Sequence, residues 1–398
     1  MARINLAEDT VSKADIEALA QWLLTYPRLT KGELTERFEA SFAQRMGCAH
    51  AIYVSSGSSA NLIAANALLS VKPSRNRTVI APAVSWVTTV TPFLQLGYKV
   101  LMCDCDSQTL GVDLTHFEAL CKRHQPDAAI IVHVLGHDSS IHAVRQICER
   151  YGVRLVEDTC EAIGSEVGGR KLGTFGDFGT FSFYFGHQLS SIEGGVIVTD
   201  DFELAQIAKS MRAHGWARDL SPEYRRRLET ENEIDAFQSL YAFYYSGFNC
   251  RSTDLNAFLA LRQIERLDDV VRARQQNFLT YKSYLGGFWS QASAAETLSS
   301  FAYAMIVANR AEVVAALNDA GVETRPLLCG NMARQPLFRP LFRTAKLPNA
   351  DRVHDLGLYL PNHAHLTEAQ IAHIAGVVNA TAQPASFVRR KSSARNAA

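Results

Sequence analysis

Residues 51–70 read AIYVSSGSSANLIAANALLS: a short strand, a turn of Ser55-Ser56-Gly57-Ser58-Ser59, then a helix rich in Ala and Leu. Short, nearly continuous apolar runs recur from there to position 200: TVIAP, KVLMCD, AAIIVHV, RLVEDT and GGVIVTD. Stretches of helical periodicity such as THFEALCKRH and HAVRQICERYG lie between them. Strands that are apolar on both faces and alternate with helices predict a mostly parallel, doubly wound α/β sheet, because crossover helices cover both of its faces. From about Leu255 the pattern changes to one long helix, DLNAFLALRQIERLDDVVRARQQNFLTYKSYL, followed by FAYAMIVA and AEVVAALNDAG. That change predicts a smaller C-terminal α+β unit. We assign residues 1–250 to the large unit, 251–383 to the small one and 384–398 to a polar, disordered tail.

The 398 residues suffice for a large core and two or three domains. Forty acidic and forty basic side chains cancel, so no bulk charge draws the chain to nucleic acid or to an anionic membrane. The first residues, MARINLAEDT, lack the apolar stretch of a signal peptide, and no run of about 18 apolar residues is present to span a bilayer. A cytoplasmic protein is expected. Eight scattered cysteines without a CxxC pair do not form a disulfide framework. Cys103-Asp104-Cys105 is read as core rather than as a metal cluster, and no metal site is expected.

Three segments carry chemistry. In the turn Ser56-Gly57-Ser58, glycine allows a tight bend while backbone N–H groups and hydroxyls can converge on one anion; a serine-capped helix without ligand fits the same residues. Glu157, Asp158 and Glu161 cluster at the C-terminal end of an apolar strand, where open α/β sheets bind ligands. An aspartate there can hold a protonated heteroaromatic nitrogen or simply cap a helix. The stretch Gly179–Val196, GTFSFYFGHQLSSIEGGV, runs from a strand through a polar turn containing His187 into another strand. A lone histidine of this kind serves as a structural hydrogen-bonding residue or as a proton carrier.

The last segment resembles the cofactor segment S-F-H-x-x-K-x-x-x-x-x-E-G-G of the DegT/StrS family of sugar aminotransferases, with His187 at the anchoring lysine. Other matches follow in order along nearly the whole chain. Thr30-Lys31-Gly32 matches T-x-G, Ser56-Gly57-Ser58-Ser59-Ala60 matches S-G-T-S-A, and Pro82-Ala83-Val84-Ser85-Trp86 matches P-A-x-T-F. Glu157-Asp158 matches E-D, and Gly247-Phe248-Asn249-Cys250-Arg251 matches G-Y-N-x-R. The resemblance implies a fold-type-I, aspartate-aminotransferase-like enzyme of pyridoxal 5′-phosphate and pyridoxamine 5′-phosphate. It implies a homodimer with a shared active site. Ser56, Gly57, Ser58 and Ser182 would hold the cofactor phosphate, Trp86 would stack on the ring and Asp158 would bind its nitrogen. Glu161 joins this set, and Asn249 would reach the phosphate of the neighbouring subunit.

A histidine cannot tether an aldehyde as lysine does, but it can move a proton near neutral pH. The resemblance therefore points to the family's small lysine-to-histidine branch, the 3-dehydratases of nucleotide-linked 4-keto-6-deoxy sugars. In that branch glutamate supplies the amine, the C3 hydroxyl leaves and ammonia is released, giving a 4-keto-3,6-dideoxy sugar. Arg212-Ala213-His214-Gly215-Trp216-Ala217-Arg218 and Thr324-Arg325-Pro326 with Gly330-Asn331 resemble two further elements of the branch, which makes Arg218, Arg325 and Asn331 candidates for substrate contact. The branch usually carries a second histidine where Gln188 stands. A related type adds a [2Fe–2S] cluster and a reductase partner, but no cysteine lies between Trp216 and Phe248, so no such partner is expected. The remaining alternatives are a plain nucleotide-sugar 4-aminotransferase and a non-catalytic binding protein.

Overall fold

The computed structural model describes residues 3–71 and 74–385. Its large sheet comprises β1 (His50–Val54), β2 (Thr78–Pro82), β3 (Lys99–Cys103), β4 (Ala128–Val132), β5 (Arg154–Asp158), β8 (Phe178–Ser182) and β9 (Gly195–Thr199). A two-stranded hairpin, β6 (Glu166–Val167) and β7 (Arg170–Lys171), intervenes. The sheet order is β1-β9-β8-β5-β4-β2-β3. Neighbours from β8 to β3 are parallel, whereas β9 is antiparallel to both β8 and β1. The near-continuous apolar strands have this cause: in β2, Val79 and Ala81 enter one buried cluster while Ile80 enters another on the opposite face.

A second sheet of β10 (Tyr303–Ile306), β12 (Gly357–Leu360) and β11 (Arg325–Pro326) is antiparallel throughout. It shares a core with the helices Leu267–Tyr284, Arg310–Asp319 and Glu368–Thr381. Ile4 belongs to this core and bridges Val322, so the start of the chain joins the small unit.

The long helix expected from Asp254 is two helices, Asp254–Ile264 and Leu267–Tyr284. The interruption at Glu265-Arg266 contains neither Gly nor Pro. It coincides with the Arg266 guanidinium, which donates to buried Asp15 at 2.5 Å, an ion pair that Arg262 shares at 2.8 Å. Ala257, Ala260 and Ile264 pack with Phe38 and Phe42 against β1 and β8 residues of the large unit. Pro384 bridges Val307; the rest of the expected tail, beyond Ala385, lies outside the described residues.

Two of the sequence matches act as ties within this frame. Asp254 accepts hydrogen bonds from the N–H groups of Gly32 (2.8 Å) and Thr35 (3.0 Å), and a Cβ at Gly32 would lie 2.8 Å from its carboxylate. Arg212, only 1% exposed, pairs with Glu39 and Asp219 and donates to the Tyr53 carbonyl in β1. Lys31 approaches the same Asp219 at 3.5 Å. Replacing one partner of a buried charge set leaves the others uncompensated, so Arg212→Met should cost about 3 kcal/mol or more of unfolding free energy in urea titrations. Loss of less than about 1 kcal/mol would show that the network is not stabilising.

Candidate active site

A cavity of about 640 Å³ opens where β5 and β8 end and where β11 and β12 face them. It is bordered by Ser56, Gly57, Ser58, Trp86, Asp158, Glu161, Ser182, His187 and Arg325, nine of the twelve residues singled out from sequence.

The turn at Ser56 is built as a helix start. The Ser56 hydroxyl accepts from the Ser59 N–H at 3.1 Å and the Ser59 hydroxyl accepts from the Ser56 N–H at 2.9 Å. The Ala60 N–H is taken by the Ser56 carbonyl, which leaves the first-turn N–H groups of Gly57 and Ser58, both at the cavity, for an anion. Gly57 is required by close approach: a Cβ would lie 2.6 Å from Cβ of Ser182 and 2.9 Å from the Cys160 sulfur. The cradle therefore combines the cap of the helix Gly57–Ser70 with the Ser182 hydroxyl at the end of β8.

Asp158 caps no helix. One of its carboxylate oxygens accepts from the Asn61 amide and the Thr89 hydroxyl, each at 2.8 Å, while the other is 3.3 Å from the Cys160 N–H. Asn61 is oriented in turn by Thr180, whose hydroxyl donates to it at 2.6 Å. Glu157, one residue earlier, faces away from this chemistry. It accepts from the N–H groups of Gly173, Phe175 and Gly176 at 2.9, 2.6 and 2.7 Å and lies 3.0 Å from the His133 ring. Trp86 is 56% exposed at the cavity.

Glu161 is half-buried and accepts one hydrogen bond, from the Leu135 N–H at 2.8 Å. Burial, with a further push from the Asp158 charge, raises its carboxyl to about 8, so it is uncharged at neutral pH. His187 is half-buried, and its Nδ1 has no hydrogen-bond partner among the described residues. Its ring lies 5.2 Å from that of Phe301. Burial, followed by the charge of Arg274, pushes the imidazole down to about 4. Gln188 points away, donating to the Glu161 and Ser299 carbonyls at 2.6 and 3.0 Å, and so ties the turn to the small unit.

Three expected residues are not brought to this cavity. Asn249 is exposed beside Ala213. Arg218 lies over the Trp216 ring at 5.3 Å. Asn331 is buried and both ends of its amide are engaged: it donates to Asp351 and accepts from the Ala333 N–H, each at 2.9 Å. Its place is the cap of a short 3-10 turn, away from the cavity lining. Conversely, Glu323 borders the cavity and holds Arg325 at 2.9 Å. The sequence signal was available, since Glu323 and Arg325 are two apart and so share one face of extended chain. Among the described residues, no group of three or more His, Cys, Asp or Glu is placed to hold a metal, and no helix is long and apolar enough to cross a membrane.

An anion cradle at a helix start, a buried carboxylate at the strand end and an aromatic ring beside them define a site for a phosphorylated heteroaromatic ring. The chain belongs to the DegT/DnrJ/EryC1/StrS aminotransferase family, whose profile matches residues 10–379. It is 31% identical over 391 residues to a GDP-4-keto-6-deoxy-D-mannose 3-dehydratase of Yersinia pseudotuberculosis, covering 95% of this chain and 98% of that protein. The E. coli GDP-4-keto-6-deoxy-D-mannose-3-dehydratase with bound hydrated PLP superposes with a TM-score of 0.85 at 28% identity, covering 95% and 99% of the two chains. A GDP-4-keto-6-deoxymannose-3-dehydratase with a trapped PLP-glutamate geminal diamine gives 0.85 at 28% identity, covering 94% and 99%.

The raised Glu161 carboxyl has a direct consequence. Above about pH 8 it ionises beside Asp158, and its new charge opposes an anionic cofactor. Pyridoxal phosphate affinity should therefore fall between pH 7 and 9. Glu161→Gln should abolish that fall in spectrophotometric titrations, and an unchanged pH dependence would remove the assignment.

Proposed function

We propose that this chain is a cytoplasmic, homodimeric sugar-nucleotide 3-dehydratase that converts a nucleotide-linked 4-keto-6-deoxy sugar to its 4-keto-3,6-dideoxy product. Glutamate provides the amino group and leaves as 2-oxoglutarate, so the sugar is reduced at C3 while the amino acid is oxidised and ammonia is released. The carrying observation is that His187 borders the cavity while no lysine does so among the described residues. A site with the family's phosphate turn, strand-end aspartate and aromatic ring thus lacks an amine to tether its cofactor.

The residues fit a pyridoxal or pyridoxamine phosphate. The Gly57 and Ser58 N–H groups and the Ser182 hydroxyl would be the phosphate donors, Asp158 would hold the ring nitrogen protonated, and Trp86 would pack on the ring. Asn249, exposed in one copy, is assigned to the cradle of a second copy. What pyridoxamine phosphate supplies is an amine for the C4 ketone and a ring that accepts an electron pair. His187, uncharged at neutral pH, takes the proton whose removal starts the elimination and returns it afterwards. Arg325, steadied by Glu323, is the cation for the nucleotide phosphates.

Incubation with pyridoxal phosphate, glutamate and a panel of 4-keto-6-deoxy sugar nucleotides should yield a 3-deoxy product and ammonia, read by mass. GDP-4-keto-6-deoxymannose is the first substrate to try. A released 4-amino sugar would overturn the reading. His187→Lys should abolish dehydration and give a borohydride-trapped cofactor adduct, and absence of that adduct would count against the position of His187. Asp158→Asn should lose at least about 100-fold in activity, the scale on which displaced catalytic groups are felt.

A further inference from the structure

Arg274, on the helix Leu267–Tyr284, is 2% exposed, and none of its nitrogens lies within salt-bridge distance of a carboxylate among the described residues. A buried guanidinium is costly unless it is paired or fully hydrogen-bonded. Here it is spent on main-chain oxygens. One terminal nitrogen donates to the Phe301 and Asn362 carbonyls at 2.8 and 2.9 Å, and the other donates to the Gly186 carbonyl at 3.0 Å. Its Nε makes no hydrogen bond among the described residues. Gly186, at φ +85°, is the residue before His187. The guanidinium also lies over the Phe301 ring at 5.7 Å, and that ring is the neighbour of the His187 imidazole. Three separate chain segments are thus gathered onto one planar cation, and one of them carries the proposed base.

We propose that Arg274 is the positioning residue for His187, fixing the Gly186–His187 turn through its carbonyl clamp and facing the ring with a positive charge that no carboxylate offsets. This rests on His187 being the base.

The other charges around the ring are occupied or silent, except that of exposed Glu193. Asp158 is bound by Asn61 and Thr89, and Arg325 is paired with Glu323. Glu161 is uncharged at neutral pH, and burial keeps Cys160 and Tyr359 protonated. Glu193 and Tyr184 border the same cavity. From the small unit, His363 is held down to about 4 by burial and then by the same guanidinium. A base kept free of protons by burial and by a fixed neighbouring cation is ready at neutral pH, and its protonated form is more acidic when the proton must be returned.

The test compares Arg274→Met with Arg274→Lys in full-length enzyme loaded with cofactor. In Arg274→Met, kcat should fall about 100-fold with KM for the sugar nucleotide nearly unchanged, and the acid limb of the kcat profile should move up by the part the guanidinium supplies, burial keeping the rest. Arg274→Lys keeps the charge but not the fork, so the acid limb should stay near its original position while kcat remains reduced. An acid limb that does not move in Arg274→Met would overturn the proposal. Should Arg274→Met fail to fold, 15N-histidine NMR compares the unaltered protein with Arg274→Gln, with the His187 signal assigned from His187→Asn. A His187 titration that moves up in Arg274→Gln supports the proposal, and one that stays where it is in the unaltered protein overturns it. The NMR arm needs no turnover, so failure of the dehydratase reading and failure of the Arg274 assignment give different results.

Discussion

The Asp158 carboxylate is the point at which the large sheet becomes a site. It stands at the end of β5 because β4, β5 and β8 are parallel and in register, with Asp158 opposite Val132 on one side and Thr180 on the other. Thr180 holds Asn61, Asn61 and Thr89 hold Asp158, and these three partners come from a strand and from the starts of two different helices. The strand-end carboxylate and the helix-start cradle are therefore set by one hydrogen-bonded chain. A shift of the helix Gly57–Ser70 that would loosen the cradle would also break the Asn61 contact. Electrostatics inside such a pre-arranged site cost little reorganisation when the ligand arrives.

Around that point the polar groups divide into those that build and those that remain available. Glu157 and Gln188 are adjacent in sequence to Asp158 and His187, yet both are consumed by main-chain partners. Their role is to hold the loops that carry their neighbours. For Glu157 and Asp158, in β5, alternation along extended chain explains the contrast, since successive side chains point to opposite sides. The same logic makes Arg212 and Asp254 ties between distant segments rather than ligands, although they lie in or beside stretches that a comparison of motifs singles out.

Much of this was legible from the residues. Strand–helix alternation predicts the doubly wound sheet because a strand buried on both faces must be apolar throughout, and the Ser-Gly-Ser turn announces a helix start. Less legible were features created by long-range contacts. The break at Glu265-Arg266 has no Gly or Pro to mark it, because its partner Asp15 lies some 250 positions away in sequence. Asn331 looks like a site residue in its motif, but its amide is spent on Asp351 and Ala333. Arg274 gives no local signal at all, since an arginine within a polar helix reads as a solvated charge until the carbonyls of Gly186, Phe301 and Asn362 converge on it.

The missing lysine also changes what kind of object the folded protein is. An enzyme that bonds its cofactor carries it as part of the chain, whereas this site holds one only through reversible contacts. Its loaded fraction then follows the free cofactor concentration by mass action, as for any ligand. The folded state follows as well: a ligand present at 100 times its dissociation constant adds about 2.7 kcal/mol to stability. Cofactor supply thus becomes a determinant of how long the protein survives, and not only of how fast it works.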